Sequence, residues 1–201
     1  LDINISKLQN ITTGQVYSAV INKERKGKYL GKTVQPIPHV TDEIKERIRF
    51  PASQHNLDFV IVEIGGTVGD YENVLFLEAV RQMKHEGDKV IFIHVTYVPM
   101  LDALGEAKTK PTQHSVKLLR EIGIMPDFII TRSEKALDNV RRKKIAMFCN
   151  VSEEDVISNE DVDNIYEVSL LFEKQDLCRK ILKKLNLRKD HNDLKTWKNF
   201  I

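Results

Sequence analysis

The order of apolar and polar positions along the chain predicts strands that alternate with helices. Near-continuous apolar runs at 57–64, 89–98 and 127–131 are typical of parallel strands that are covered on both faces. Shorter strands are predicted at 33–37 and 156–158. Strands and helices that alternate through short connections specify an α/β fold with a doubly wound, mostly parallel sheet.

Apolar residues at helical spacing predict six helices between these strands, and several of them carry recognisable start signals. Thr12 or Thr13 can cap the first helix, and Thr41 opens the second with two acids in its first turn. Pro111 begins the fourth, where its missing N–H costs nothing. The predicted helices span 14–25, 41–49, 72–86, 111–122, 139–149 and 170–185, and the mixed polar residues 186–201 predict a surface tail or linker.

Composition places the 201-residue chain among globular proteins large enough for one substantial domain, with 41% hydrophobic and 30% charged residues. The net charge of +2 favours neither nucleic acid nor a membrane as a partner. No apolar run approaches the roughly 20 residues of a membrane span, and no signal peptide is visible. Cys149 and Cys178 are therefore interpreted as buried, reduced thiols of a cytoplasmic protein. A chain that starts at Leu1 rather than Met is expected to be a processed product or a fragment.

The first candidate site is the glycine-rich turn that follows the apolar run at 59–62. Glu63 interrupts that run, and Asp70 and Glu72 follow the turn at the start of a predicted helix. Glycines let a backbone approach phosphate closely, and carboxylates suit Mg²⁺. Ligands of open α/β sheets bind at the carboxyl ends of the strands, so a nucleotide–magnesium site is predicted here. Asp70 and Glu72 can equally be a helix cap and first-turn acids.

The second candidate site is the basic segment 108–113, which also follows a predicted strand. Lys108 and Lys110, with Thr109 and Thr112, surround the start of the helix that Pro111 opens. Backbone donors, the helix dipole and ammonium groups together suit a triphosphate. The alternative is a solvated basic loop with ordinary capping.

Three further features carry weaker signals. Arg132 follows the strand 127–131, and Lys144 belongs to the basic run 141–144, which would normally be a solvated helix face. The acidic loop 159–163 follows a short strand and can hold an adenine through its backbone. His94, inside an apolar strand, is expected to be a hydrogen-bonded core residue. The sequence contains neither a G-x-x-x-x-G-K-[ST] nor a G-x-G-x-x-G motif.

Taken together, these segments resemble the CTP synthase family, specifically its synthetase (amidoligase) domain, over 1–185. This resemblance implies a P-loop NTPase fold of the dethiobiotin-synthetase type, present as a partial domain. The tail 186–201 would then lead toward a glutaminase domain. The matching segments are 12–17, 29–35, 37–39, 62–72, 94–99, 105–115 and 145–151, of which 63–70 and 108–115 are the most specific.

The resemblance implies ATP-dependent amination of UTP to CTP in pyrimidine biosynthesis, with ammonia from glutamine. Glu63 would be a Mg²⁺ ligand, and Lys108 and Lys110 would be catalytic. The Glu63 turn and the lysine segment would supply opposite walls of the site. ATP would be held by Arg132, Glu160, Asp161 and Val162. UTP or the inhibitor CTP would be bound by Asp70, Tyr71, Glu72, Lys108, Thr109, Lys110, Pro111, Thr112, Gln113 and Lys144.

Departures from the family pattern limit what this chain is expected to do alone. Tyr71 stands where the family usually has an aliphatic residue, and a larger side chain there can change CTP feedback in either direction. The family's P-loop lysine, second magnesium acid and glutaminase triad have no counterpart in the sequence. We therefore expect a cytoplasmic enzyme that is homotetrameric at full length, of which this chain alone is inert. Alternatives are a non-catalytic UTP/CTP-sensing or assembly module, and a generic ATPase relative with another acceptor.

Overall fold

The computed structural model describes residues 7–54, 57–101, 106–188 and 194–201, apart from the side chains of Leu8 and Lys195. The chain divides into two compact units, Leu1–Asp88 and Lys89–Ile201. The first unit contains the helices α1 (Thr13–Arg25), α2 (Thr41–Gln54) and α3 (Val74–His85). In the second, the strands are β1 (Ile93–Tyr97), β2 (Met100–Leu101), β3 (Glu106–Ala107), β4 (Phe128–Ser133) and β5 (Val156–Glu160), and the helices are α4 (Lys110–Glu121), α5 (Asn139–Cys149), α6 (Val168–Lys174), α7 (Leu177–Leu185) and α8 (Leu194–Phe200).

The second unit is built on a parallel sheet in the order β1-β4-β5. The short strands β2 and β3 form a separate antiparallel pair. Alternate residues of β4 point to opposite faces of the sheet, as the pleat requires. Ile129 packs in a core cluster with residues of α4 and α5, whereas Phe128 and Ile130 pack with residues of α6 and α7. Helices on both faces confirm the predicted doubly wound α/β fold.

The edge strand β5 is closed by a side chain rather than by another strand. Gln175 accepts a hydrogen bond from the Ser158 N–H through Oε1 (2.9 Å) and donates to the Ser158 carbonyl through Nε2 (2.7 Å). The same Nε2 donates to the Leu171 carbonyl (3.1 Å). The side-chain amide thus reproduces the two bonds of a neighbouring strand, which protects the edge.

This contact also explains why the single helix predicted at 170–185 is wrong. The structure has two helices, α6 and α7, separated at Gln175 and Asp176. Asp176 adopts the left-handed conformation with a φ of 57°, which no continuous right-handed helix accommodates. At this break the Gln175 amide faces β5 and bonds to Ser158. Helical periodicity does not encode such a contact, because its two partners are distant in sequence.

In the first unit, local start signals account for α1 and α2. Thr12, one of the two predicted caps, forms a reciprocal capping box with Gln15 at the start of α1. Helix α2 begins at the predicted Thr41 but continues to Gln54, five residues beyond the predicted end, with Pro51 inside it. The helix α2 is then joined to residues at and beyond the end of α3 by ion pairs of Lys45 with Glu86 and of Arg49 with Glu86 and Asp88.

Two of the predicted strands are wrong. The segment 33–37 forms no ladder, and Pro36–Val40 is a single π-helical turn. Pro36 and Pro38 both lack the N–H that a strand must donate. The apolar run 57–64 also belongs to no strand in the described part of the chain, and Ile61 is 84% exposed. A parallel strand exists only beside a partner, and apolar character alone does not supply one.

The remaining expectations have mixed outcomes. Cys149 is a free, buried thiol as predicted, and burial raises its pKa to about 11. Cys178 is exposed, so the expectation that it is buried is wrong. Within the predicted tail, Leu194–Phe200 is helical, and Trp197 donates from Nε1 to the Tyr166 carbonyl (3.1 Å). Among the described residues, no helix combines the length and apolar character needed to cross a bilayer.

Substitutions at two isoleucines test whether the run 57–64 is exposed, as the structure shows, rather than buried like a sheet strand. Ile129 is fully buried in β4 and Ile61 is largely exposed. We expect Ile129→Ala to lower the free energy of unfolding by about 2–5 kcal/mol, the usual cost of a core cavity. Ile61→Ala should change it by less than about 0.5 kcal/mol. Urea unfolding followed by circular dichroism measures both, and equal losses would contradict the assignment of 57–64.

The ion pairs of Glu86 predict a pH-dependent contribution to stability. Its hydrogen bond from Lys45, followed by that from Arg49, lowers the pKa of Glu86. A carboxyl whose pKa is lower in the folded state stabilises the protein above its unfolded pKa, about 4.3. Its contribution disappears as the pH falls through the folded value. We expect Glu86→Gln to lower the free energy of unfolding by about 1 kcal/mol near neutral pH, the upper end for exposed pairs.

Urea unfolding at about pH 7 and pH 3 measures this difference, which should be smaller at the acid end. The matched control is Glu121→Gln, because Glu121 pairs with Lys117 at 3.8 Å and both side chains are exposed. The control variant should be indistinguishable from the unmodified chain. A Glu86→Gln effect of equal size at both pH values would exclude the ion pairs as its cause.

Candidate functional site

Parallel pairing aligns the carboxyl ends of the three sheet strands of the second unit. Tyr97 in β1 is in register with Arg132 in β4, and Arg132 is in register with Asn159 in β5. Ser133 stands opposite Glu160 and accepts a hydrogen bond from the Asp161 N–H (3.1 Å). The structure therefore brings the candidate residues Arg132, Glu160 and Asp161 together at the edge of the sheet where ligands of this fold bind.

The segment 108–113 follows the same edge and starts α4. The helix begins at Lys110, one residue before the predicted start, so Pro111 is its second residue. The Lys108 N–H donates to the Pro99 carbonyl (2.9 Å), which fixes the segment just beyond the end of β1. Thr109 caps the helix without a side-chain hydrogen bond. First-turn amides have no partner within a helix, so this end can face an anion.

Within this segment the side chains divide into buried and outward-facing groups. Thr112 is fully buried, and its hydroxyl lies 3.2 Å from the hydroxyl of Thr96. The Thr109 hydroxyl accepts a hydrogen bond from Gln113 Nε2 (3.0 Å). Thr112 can therefore offer a ligand only its backbone, and the charged heads that remain are those of Lys108 and Lys110.

Helix α5 packs against α4 and adds further positive charge beside these lysines. The Lys110 Nζ lies over the Phe148 ring, 5.8 Å from its centroid. Lys144 is exposed and precedes Phe148 by four residues, the spacing that puts two residues on one face of a helix. The candidate residues Lys108, Lys110 and Lys144 thus belong to one basic surface between the start of α4 and one face of α5.

The rest of the basic run 141–144 does not share this role. Arg142 donates from Nη1 to the Val156 carbonyl (3.0 Å), and Lys143 is exposed on another side of the helix. Arg141 Nη2 donates to Glu106 Oε1 (2.6 Å). Two of these four residues, Arg141 and Arg142, thus have protein partners, whereas Lys143 and Lys144 are exposed.

The acidic loop after β5 has less free backbone than its sequence suggests. Ser158 Oγ donates to Glu160 Oε2 (3.1 Å), which fixes that half-buried carboxylate. The Asp161 amide is already bonded to Ser133, and Val162 is half-buried. A cavity of about 220 Å³ opens beside this loop. Its lining residues are Ala136, Leu137, Arg142, Ser158, Glu160, Leu171, Lys174 and Gln175.

In the first unit, the candidate turn after Glu63 is shaped by two glycines and one asparagine. Gly66 and Gly69 have φ values of 93° and 101°, which side-chain-bearing residues rarely adopt. Asn73 is buried, and its Nδ2 donates to the Thr67 carbonyl (2.8 Å). A Cβ on Gly66 would lie 3.2 Å from that Nδ2. The turn and the asparagine therefore fit each other closely.

The acids of this turn are not helix caps. Helix α3 starts at Val74 with Asn73 as its cap, and its first turn contains no acid. The capping explanation for Asp70 and Glu72 is thus wrong, and so is the predicted start of the helix at 72. Both carboxylates are exposed, and Tyr71 is 98% exposed. Tyr71 and Glu72 line a small cavity with residues of α1 and α3.

For magnesium, the described residues do not form a complete site on their own. They contain no group of three or more His, Cys, Asp or Glu side chains that could hold an ion. The exposed carboxylate of Glu63 folds back over Gly65, 3.6 Å from where a Cβ would stand. Mg²⁺ is commonly held by one or two carboxylates together with substrate phosphates, so Glu63 fits as one ligand of such an ion.

His94 is a core residue, as the sequence predicts. It is buried in β1, and its Nε2 lies 2.9 Å from Ser115 Oγ. Burial lowers the pKa of His94, which keeps the ring neutral. We therefore assign it no role at the site.

Sequence reasoning missed the partners of the candidate lysines. Glu106 accepts a hydrogen bond from Lys108 Nζ on Oε2 (2.8 Å), and Arg141 joins it from α5. Residues two apart in an extended segment point to the same side, so the Glu106–Lys108 pair had a visible signal. The Arg141 contact spans 35 positions and had none. Gly105, part of the family motif, lies outside the described residues.

The second unit belongs to the class of doubly wound α/β folds and carries a basic helix start at the carboxyl edge of its sheet, where ligands of such folds bind. The comparison with protein families is more specific. A family model described as CTP synthase N-terminus matches residues 1–187, and the chain belongs to this family.

Curated relatives agree with the family assignment. The chain is 55% identical over 203 aligned residues to a CTP synthase of Caldanaerobacter subterraneus subsp. tengcongensis. It is 58% identical to one of Thermococcus gammatolerans and 52% identical to one of Picosynechococcus. Each alignment covers 100% of this chain but only 37–38% of the relative. The chain thus spans less than two fifths of the length of these relatives.

Asn73 offers a test of how the Glu63 turn is held. Removing its amide leaves the Thr67 carbonyl without that donor, at a cost of about 1–2 kcal/mol. We expect Asn73→Ala to speed amide hydrogen exchange in 65–72, beginning with the Asp70 N–H, which donates to the Thr67 carbonyl. Exchange within α3 should change far less. The control Asn22→Ala, at an exposed position of α1, should leave exchange in 65–72 unaltered.

Proposed function

We propose that this chain forms part of the nucleotide-binding surface of an enzyme that aminates UTP to CTP. The observation that supports this most directly is the convergence of Lys108, Lys110 and Lys144 between the start of α4 and α5. The family to which the chain belongs gives this basic surface its chemical context.

The surface suits the triphosphate of a pyrimidine nucleotide on physical grounds. A triphosphate carries several negative charges, which the ammonium groups and the first-turn amides of α4 can neutralise. Pro111 lacks an N–H, and the Gln113 N–H already donates to the Thr109 carbonyl (3.1 Å), so the first-turn N–H groups left for a ligand are those of Lys110 and Thr112. In this proposal, Asp70, Tyr71 and Glu72 read the pyrimidine ring of UTP or CTP.

The reaction would proceed through two displacements. The γ-phosphoryl group of ATP passes to the uracil O4, which leaves ADP and a phosphorylated pyrimidine. Ammonia then adds at C4, inorganic phosphate departs with the O4 oxygen, and proton loss gives CTP. Phosphoryl transfer relies chiefly on positioning and on neutralising charge, which is the role proposed for Lys108 and Lys110.

ATP would bind at the carboxyl edge formed by β4 and β5, through Arg132, Glu160, Asp161 and Val162. The supporting geometry is the register of Arg132 with Asn159 and of Ser133 with Glu160. Mg²⁺ would neutralise phosphate charge during the transfer, and Glu63 would supply one of its oxygen ligands.

The proposal also concerns the larger protein. The ammonia would come from glutamine through a glutaminase domain of the same polypeptide, and the full-length enzyme would be a cytoplasmic homotetramer. The chain alone would bind UTP or CTP without forming product, because its 201 residues contain no Walker A motif to cradle ATP phosphates.

Titration calorimetry of the chain with CTP or UTP tests nucleotide binding. Replacing Lys110 by Met removes a phosphate-binding charge, so we expect at least a tenfold loss of affinity. Lys117→Met is the matched control, since Lys117 is exposed on the same helix and pairs only weakly with Glu121. It should change affinity by less than about twofold. Equal losses in the two variants would contradict a specific triphosphate site.

An activity assay with ATP, UTP, Mg²⁺ and ammonium tests the second part of the proposal. We expect nucleotide binding without CTP formation. CTP formation at a rate typical of enzymes, about 1–1000 per second, would show that the chain is not inert. Absence of any binding would overturn the assignment of the basic surface instead.

A further inference from the structure

The carboxylate of Glu106 holds two cations at once, Lys108 of the basic surface and the neighbouring Arg141. Its Oε2 accepts from Lys108 Nζ at 2.8 Å, and its Oε1 accepts from Arg141 Nη2 at 2.6 Å. Lys108 lies two residues along the chain, whereas Arg141 comes from α5. One carboxylate therefore joins β3 to α5 through Arg141 and also holds Lys108, the lysine that the proposed function assigns to phosphate.

Arg141 is itself fixed in place by a second acid. Its Nη1 lies 3.1 Å from Asp138 Oδ2, and the other Asp138 oxygen accepts from the Arg141 backbone N–H (2.8 Å) as the cap of α5. Two positive and two negative charges thus alternate in one chain of ion pairs, from Lys108 through Glu106 and Arg141 to Asp138. Because Asp138 holds both the backbone and the side chain, Arg141 presents a rigid guanidinium to Glu106.

Lys110 provides a contrast within the same surface. Among the described residues, no carboxylate lies within ion-pair distance of its ammonium group, which instead sits over the Phe148 ring. Lys108 and Lys110 are thus chemically alike, but the ammonium group of Lys108 is paired with a carboxylate and that of Lys110 contacts an aromatic ring. Before Lys108 can direct all its N–H groups at a phosphate, its hydrogen bond to Glu106 must break. Lys110 has no such bond to break among the described residues.

We propose that Glu106 is an anionic placeholder that occupies Lys108 in the nucleotide-free site and is displaced by the triphosphate. Arg141 is the second part of this device, because it draws the Glu106 carboxylate toward α5 and away from Lys108. This inference rests on the proposed nucleotide function. It makes Glu106 a positioning residue that sets the affinity of the surface for its ligand.

Electrostatics favours a placeholder over an orienting group. A carboxylate beside the phosphate path repels the incoming triphosphate, and the repulsion grows with the charge of the ligand. The pKa of Glu106 is lowered by its hydrogen bond from Lys108 and then by that from Arg141, so the group remains ionised near neutral pH. The placeholder is therefore always charged when a nucleotide arrives.

The first experiment compares CTP binding by the chain and three variants. Glu106→Gln keeps the shape and removes the charge, so we expect CTP to bind about three- to fivefold more tightly, the scale of one exposed ion pair. Arg141→Gln should have the opposite effect, because Glu106 is then left to Lys108 alone. The double variant should match Glu106→Gln, since Arg141 acts only through Glu106.

The second experiment measures Lys108 without any nucleotide. Acylation by a water-soluble succinimidyl acetate, followed by peptide mass spectrometry, reports how often each lysine amine is free. We expect Lys108 to react about threefold faster in Glu106→Gln and more slowly in Arg141→Gln, on the same ion-pair scale. Lys110 is the internal control, and its rate should not change.

The outcomes separate this inference from the proposed function. Weaker CTP binding by Glu106→Gln, or an unchanged rate of Lys108 acylation, would overturn the placeholder role. A loss of stability alone would weaken binding in both single variants, whereas the inference requires changes of opposite sign. The expected acylation rates without any CTP binding would overturn the nucleotide function, and with it the inference, while leaving the ion pairs themselves established.

Discussion

The parallel pairing of β4 with a strand on each side is the constraint on which the second unit depends. It places Ile129 in one core and Phe128 and Ile130 in the other, so both helical layers are fixed by the pleat of one strand. The same pairing fixes where the three strands end. Arg132 and the residues after β5 meet at one edge because their strands run in the same direction and in register.

Positive charge near this edge is distributed according to what each cation already contacts. Arg142 is tied to a carbonyl of β5, Arg141 to two carboxylates, and Lys110 to the face of an aromatic ring. Neighbours in the sequence thus have unequal freedom to meet a ligand. A net charge of +2 for the whole chain says nothing about this local arrangement.

Signals confined to a few neighbouring residues were read correctly from the sequence. The cap of α1, assigned to Thr12 or Thr13 and found at Thr12, and the bounds of α5 at Asn139 and Cys149 are of this kind. Features that depend on distant partners were not. The run 57–64 has strand-like composition but no strand beside it in the described structure, and the break at Asp176 depends on a contact with β5.

The same distinction applies to the candidate site. Lys108 and Lys110 could be selected because they adjoin a helix start that Pro111 marks. The sequence could not show which partner each ammonium group contacts in the folded chain. The contact between Glu106 of β3 and Arg141 of α5 joins residues 35 positions apart, so no local pattern encodes it.

Deamidation of Gln175 during storage would disrupt the contacts that cover the outer edge of β5. Hydrolysis to a carboxylate would keep an acceptor for the Ser158 N–H but would set a negative oxygen against the Ser158 carbonyl and the Leu171 carbonyl. Two attractive contacts would become repulsive, and the outer side of β5 would lose its cover. A single slow deamidation could therefore mark the age of a sample more sensitively than any change in its core.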